Sequence, residues 1–471
     1  MNTNDYILLA LAVGAIGLLV LSVTRWKVNA FIALAIAALV VGIGAVAMGL
    51  SAIALEKGAS GIPEWKTGKP LTLLSILDGF TLGMGGTLGK TAAIIALGTM
   101  LGKLLAESGG AEVLAKRFAA FFGPQRVGLC IMVLALVVGL VTWFAVGLVL
   151  LLPILLTLTR ETKRPFLLLA IPLLAMLSVM HGLMPPHPGP VAAIGNLNAN
   201  MGLVLMWGFV IGIPVAIVAG PIFARRAARV VEAQPPVTVE RAETLREGQR
   251  LPGFGLTMFS LLIPVFLMLL ATLAELTLRE GSPLRTFASF IGNPTLALTI
   301  SVLLGMWSLG TACGFSPAQV LKFTEESVAS VGMTLLVVGG GGGFAKVLDI
   351  CGVSRAMGYV AETAHLPPLL YGWLVSAFIR VATGSATVAI TVASGLLVPV
   401  VAAHPGTNVE LLVICIGCGS LFLSHLNDGG FWIVKECLGL TVGQTLRTWT
   451  VCETIVGLVG LALTFLVSQF V

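Results

Sequence analysis

VGLCIMVLALVVGLVTWFAVGLVLLLPILLTL, residues 127–158, is an apolar run with small and polar residues and one proline inside it. Lys116, Arg117 and Arg126 precede it, and Arg160, Lys163 and Arg164 follow it. A helix crosses a bilayer with about 20 apolar residues, and short basic loops stay on the cytoplasmic face. A run of about 32 residues whose two ends belong on one face does not cross; it turns back as two arms, each about half a bilayer long. Irregular backbone at that depth is tolerated only where protein or a water-filled cavity covers it. The stretch therefore predicts a re-entrant hairpin inside a larger membrane bundle.

The rest of the chain agrees. Of 471 residues, 57% are hydrophobic and 10% charged, where a soluble domain carries about 25% charge. Mean hydropathy is +1.03. A soluble fold would lack the polar surface to cover itself, so the bilayer is the expected partner. The net charge of +6 does not point to nucleic acid, because the basic residues sit in short connections between apolar runs. None of the seven cysteines has zinc or redox spacing in a polar loop, and Cys415 and Cys418 read as packing residues. Neither a metal nor a cofactor is expected.

Clear spans fall at 5–23, 29–50, 86–106, 202–222, 254–276, 294–312, 326–345 and 444–468. The first has no cleavage-site pattern after it and reads as a retained helix. Four regions, 127–158, 165–196, 366–401 and 409–440, are apolar but interrupted. The segment 223–252 carries six arginines and Pro235–Pro236, which predicts a cytoplasmic linker and, threading backwards, an N-terminus outside.

At an offset of about 243 the second half resembles the first. Lys103 and Gly109 match Lys346 and Gly352, Pro153 matches Pro399, His181 matches His425, and Met201-Gly202 matches Val442-Gly443. The first copy has an odd number of crossings, so the second starts on the opposite face. The expected fold is an all-α polytopic membrane protein of two inverted repeats, 1–222 and 253–471. Each holds a hairpin (127–158, 366–401) and a broken helix (165–196, 409–440). Inverted repeats with discontinuous helices are a transporter architecture, with substrate held at the midplane.

The interruptions carry the chemistry. The second hairpin turns at Thr383-Gly384-Ser385-Ala386-Thr387. Glycine allows close backbone approach, three hydroxyls surround it, and a helix N-terminus follows, which suits a carboxylate. Small residues that allow tight packing are the plainer reading. Arg380 stands three residues earlier. A buried arginine needs a partner, either a substrate carboxylate or Asp349, Glu362 or Asp428. The first broken helix reads His181-Gly182-Leu183-Met184-Pro185-Pro186-His187-Pro188-Gly189-Pro190, which cannot be continuous helix. The second reads Ser424-His425-Leu426-Asn427-Asp428-Gly429-Gly430. Asp428 is a candidate proton relay or, alternatively, a helix cap or ion-pair member. His181 and His425 are further titratable candidates. The run Gly339–Gly343 lacks a GK[ST] ending and reads as flexibility or close helix packing.

At HGLMPPHPGP, GGGGGFAKVL, GSATVA and SHLNDGGFW the sequence resembles the gluconate permease family, over nearly the whole chain. That resemblance, within the wider ion transporter superfamily, implies proton-coupled uptake of gluconate or a related sugar acid, or D-serine in some members. It also implies an elevator motion, a dimer and a bacterial inner membrane. One departure is Ala145, in Thr142-Trp143-Phe144-Ala145-Val146-Gly147, where many members have an acid. The expected substrate-binding residues are Thr383, Gly384, Ser385, Thr387, Arg380, Thr142, His181, His187 and Asn427; Asp428, His181 and His425 are expected to handle the proton. A membrane-embedded enzyme would need a nucleophile–base pair or metal cluster, and a channel an open polar pore; the sequence offers neither pattern.

Overall fold

In hydrocarbon every backbone polar group needs an internal partner, so long apolar runs become helices. The computed structural model describes residues 3–57, 63–233, 250–353, 355, 356, 359 and 366–471. Among them ten helical segments are long and apolar enough to cross a membrane.

The chain opens with α1 (Thr3–Thr24) and α2 (Ala30–Ala47). Asn29 caps α2 by accepting from the Phe31 amide. The all-α expectation then needs one amendment. β1 (Ser51–Lys57) and β2 (Pro63–Pro70) form an antiparallel ribbon, with Ile53 opposite Thr67. Its mixed polar and charged sequence gives no sustained alternation, so it reads as a loop.

α3 (Leu73–Glu107) and α14 (Pro317–Ile350) have 35 and 34 residues, well beyond one bilayer crossing. Their outer turns contain glycines, Asp78, Lys322, Glu325 and Glu326, which concealed their length. The two helices lie against each other through glycine. A Cβ on Gly342 would overlap the Thr87 hydroxyl, and one on Gly343 would come within 2.8 Å of the Phe80 ring. Gly340 faces Phe31 of α2, and Gly341 faces Thr391 of the second hairpin. The five-glycine run is thus a packing surface for three neighbours. The contacts offset the roughly 1 kcal/mol per residue that glycine costs inside a helix.

After α3 come α4 (Gly110–Phe122) and α5 (Val127–Gly139), bent by 108° at the break between them. α5 and α6 (Phe144–Thr162) form the first hairpin. α7 (Leu167–Leu183) and α8 (Pro188–Leu197) are the first broken helix. α9 (Met201–Ile217) runs through a π-turn, Val218–Ile222, into α10 (Phe223–Val230). The expected linker 223–252 is therefore helical at its start, and its residues 234–249 lie outside the described residues. The second half opens with α11 (Phe254–Thr277), α12 (Pro283–Ile291) and α13 (Pro294–Gly305). After α14, the second hairpin is α15 (Pro368–Thr383) with α16 (Ala386–Ala403), and the second broken helix is α17 (Val409–Leu421) with α18 (Gly429–Cys437). α19 (Val442–Thr445), a π-turn (Leu446–Thr450) and α20 (Val451–Val467) make the last span.

Helices starting at 73, 127, 144, 167, 188 and 201 are followed by helices starting at 317, 368, 386, 409, 429 and 442, a spacing of 241–244. Special backbone positions keep the same spacing. Gly109 and Gly352 end the long helices at φ 71° and 84°, and Asn198 and Gly439 follow the short half-helices at φ 52° and 64°. Asn200 and Thr441 then cap the next helix. The first broken span, Leu167–Leu197, is 89% buried, against 28–50% for the other nine spans, so it lies at the centre of the bundle.

Candidate functional site

In each half a side chain of the break reaches back to carbonyls at the neighbouring hairpin turn. In the first half His187 precedes α8, and its Nε2 lies 2.6 Å from the Gly139 carbonyl at the end of α5. In the second half Asn427 Nδ2 donates to the Val381 and Ala382 carbonyls at 2.8 and 3.3 Å. Helix ends leave carbonyls without intrahelical partners, and both latches satisfy such groups.

The second hairpin turns at Gly384, whose φ of 73° suits glycine. A Cβ there would collide with the Asn427 carbonyl. That approach sets two helix N-termini side by side. Ser385 caps α16, its Oγ accepting from the Val388 amide at 3.3 Å, and Asp428 caps α18, its Oδ1 accepting from the Gly430 amide at 2.7 Å. Ser385 and Thr387 are half-buried and Asn427 is exposed, so this face is reachable. Thr383 is buried and donates to the Ile379 carbonyl.

Below the turn Arg380 is 4% exposed. Its Nη1 donates to the Gly384 carbonyl at 2.6 Å, and its Nη2 pairs with Asp428. Of the partners the sequence left open, Asp428 is the one in contact. Asp349 pairs instead with Lys346 at 2.8 Å, and Glu362 lies outside the described residues. Asp428 also accepts from Ser424 Oγ. Trp449 Nε1 donates to that same Ser424 oxygen at 2.7 Å. His425 lies on the open side of the break, its Nδ1 2.9 Å from the Leu423 carbonyl.

The first-half residues form a second group. Thr142 is buried and donates to the Val138 carbonyl at 2.8 Å. The His181 and His187 rings meet edge-on, 5.3 Å apart, and His181 Nδ1 has no hydrogen-bond partner among the described residues. α3 reaches this group through Gly98, which faces Pro186, and Gly102, which faces the Val141 carbonyl. The two groups interlock across the halves. Phe144 stacks on Trp449 at 5.0 Å, and a Cβ on Gly417 would come within 2.5 Å of the Gly182 carbonyl, so the broken helices touch. Two cavities, about 480 and 360 Å³, open beside Lys90, between α3 and α8. Neither is lined by a hairpin turn.

Sequence reasoning gave no role to Ser424 and Trp449, which join the Asp428 network, or to Ser178 and Glu453, which lie beside each other. The first three are ordinary residues in apolar runs and gain their role only from tertiary neighbours. Glu453 carried a signal, being the one acid within the last span.

The GntP family permease family matches residues 66–471. The gluconate permease of Pseudomonas aeruginosa is 41% identical over 469 residues, covering 99% of each chain. The Gnt-II system L-idonate transporter of Escherichia coli is 38% identical over 455 residues, covering 96% of this chain and 97% of that one. The crystal structure of the Alcanivorax borkumensis YdaH transporter matches with a TM-score of 0.64 at 16% identity, covering 93% of this chain and 98% of that one, a likeness of fold. With ten apolar spans and these relatives, the protein is a multi-pass protein of the bacterial inner membrane. Its interrupted helices, its paired hairpins and the match across most of its length place the chain in the GntP permease family.

Proposed function

We propose that this chain is a secondary transporter for a small sugar acid such as gluconate, driven by the proton gradient. The observation that carries the reading is the convergence of the α16 and α18 N-termini over the Arg380–Asp428 pair, at an accessible face. Free amides and dipole ends there favour a carboxylate, and Ser385, Thr387 and Asn427 supply partners for cargo hydroxyls. Arg380, already shared between Asp428 and the Gly384 carbonyl, sets the position of the turn and contributes its field to the anion. Thr142, His181 and His187 are read as contributing to the cargo site from the first half. Asp428, His181 and His425 are the titratable groups at the breaks.

The names of the relatives support a sugar acid as cargo. We further read residues 1–222 and 253–471 as oppositely oriented copies, supported by the constant spacing of their helices, with 223–252 as a cytoplasmic linker. The hairpins and broken helices would move together against the long helices in an elevator motion, and the protein would work as a homodimer. The test is uptake into proteoliposomes against a panel of sugar acids and hydroxy amino acids, D-serine included, with an imposed pH gradient compared with a sodium gradient. The expected result is saturable gluconate uptake driven by the pH gradient. Transport of D-serine alone would reassign the cargo, and sodium-driven uptake would reassign the coupling ion.

A further inference from the structure

The last span, Val442–Val467, holds a single acid, Glu453, and that side chain is buried at 1% exposure. It stands 11 residues into the span, about 16 Å at 1.5 Å per residue, near the middle of a hydrocarbon core about 30 Å thick. One turn earlier the same segment sends Trp449 Nε1 to the Ser424 hydroxyl, and Ser424 in turn donates to Asp428. On its other side Glu453 faces Ser178 of α7. The carboxyl therefore stands between the two broken helices, and its Oε1 has no hydrogen-bond partner among the described residues.

The two acids of this cluster are satisfied unequally. Asp428 receives three donors, Arg380 Nη2, Ser424 Oγ and the Gly430 amide, so its negative charge is matched by the one buried cation nearby. Among the described residues Glu453 has no ion-pair partner of its own, and one of its oxygens is bare. An ionised carboxylate left so at mid-membrane is expensive, and a proton on Oε1 removes the charge. The charged groups acting on it are Arg380 of α15 and Asp428 at the second break; on α7, His181 stands three residues beyond Ser178, with the His187 ring against its own. Cys452, beside it on α20, is turned toward the Ala219 carbonyl of the first π-turn. Cys418 of α17 meets α20 farther along, at Gly460. α9 contributes no ionisable side chain. None of these supplies a second positive charge.

We propose that Glu453 takes up and releases the coupled proton, an inference that rests on the proton-driven reading above. The O–H bond forms on Glu453 Oε1 with a proton from the outer solvent and breaks to return it inside; no other bond changes. A carboxylate bound at the Gly384 turn adds negative charge beside Arg380 and Asp428. Bound cargo thus favours the protonated acid, and the protonated acid favours the cargo to the same degree, as linkage requires.

The test uses purified full-length protein in proteoliposomes. Glu453→Gln imitates the protonated side chain at equal size. It should abolish gluconate accumulation driven by a pH gradient while leaving exchange of labelled for unlabelled gluconate within about twofold of wild type. Accumulation with unaltered pH-gradient dependence would overturn the proposal. Loss of both activities in a correctly inserted variant would also overturn it, since a purely structural role predicts that result. Should the variant not insert, dicyclohexylcarbodiimide labelling of the wild-type protein gives an independent reading. The adduct should map to Glu453, decline as pH rises, and block gradient-driven uptake; an adduct confined to other carboxyls would refute the assignment. If wild-type uptake itself ignores the pH gradient, the proton-driven reading fails first, whatever Glu453→Gln does.

Discussion

The two hairpin turns occupy matching places in the chain but are built from opposite materials. The first, Leu140–Trp143, has no glycine. Its helix α6 begins without a side-chain cap at Trp143, Phe144 is stacked on Trp449, and the Val141 carbonyl lies against Gly102 of α3. The second, at Gly384 and Ser385, has a left-handed glycine, a serine cap, a buried arginine and an exposed asparagine. One turn is sealed by rings and backbone; the other is polar and open. The difference teaches that matching helix ends in the two halves need not be equivalent, and under the proposed reading side-chain chemistry decides which set would grip an anion.

The sharpest way to break this contrast is to remove the cation that only the second turn possesses. Arg380→Ala leaves Asp428 buried and unpaired, a loss of about 3–5 kcal/mol, and frees the Gly384 carbonyl. Uptake should fall at least about 100-fold, since every 1.4 kcal/mol is a factor of ten. The paired change Arg380→Gln with Asp428→Asn should recover thermal stability in detergent but not uptake. Recovered uptake would reduce the pair to scaffolding.

Next in size is Gly384→Ala. A Cβ at φ 73° costs about 1–2 kcal/mol for the left-handed backbone, and here it also collides with the Asn427 carbonyl. The turn must retreat from the second break, and gluconate affinity, measured by isothermal titration, should fall about tenfold or more. Trp143→Ala, at the glycine-free turn, should change affinity by less than about threefold. Equal losses at both turns would dissolve the distinction between them.

The two latches give a finer comparison. His187→Ala strands a buried carbonyl, at about 1–3 kcal/mol, so it should lower the melting temperature more than it alters KM. Asn427→Ala acts at an exposed position where water can replace the lost donor, so it should raise KM with little change in melting temperature. Reversed effects would move the cargo to the first half.

How much of this the sequence disclosed follows from the range of each signal. The breaks announced themselves locally, because four prolines within 185–190 and the Asn427-Asp428-Gly429-Gly430 run cannot continue a helix. The turn between α5 and α6 falls inside the interrupted run 127–158, although α6, at 19 residues, is by itself long enough to cross, where the flanking charges predict an arm of half a bilayer. Partnerships were not legible. Arg380 had three acids to choose from, and its pairing with Asp428 depends on Gly384 meeting Asn427, a contact between residues 43 positions apart. The length of α3 was hidden because glycines that serve α14 look like helix breakers when α14 is unseen. Glu453 was visible as an isolated acid, but its bare oxygen and its place between Ser178 and Ser424's neighbours belong to the fold alone.

The smallest effect tests whether the α16 N-terminus itself holds cargo. Ser385→Ala removes the cap from the Val388 amide, which costs about 1 kcal/mol. If the turn served packing only, that loss would appear as lower thermal stability with unchanged KM. If the N-terminus receives the carboxylate, the released amide and the missing hydroxyl change cargo binding directly, and KM should rise about fivefold, the factor that 1 kcal/mol implies. Ser385→Thr, which keeps a capping oxygen, should restore KM. At the first turn, Trp143→Ser would supply a cap that α6 lacks and should steady the helix without touching KM. A rise in KM for Trp143→Ser and none for Ser385→Ala would place the anion at the opposite turn.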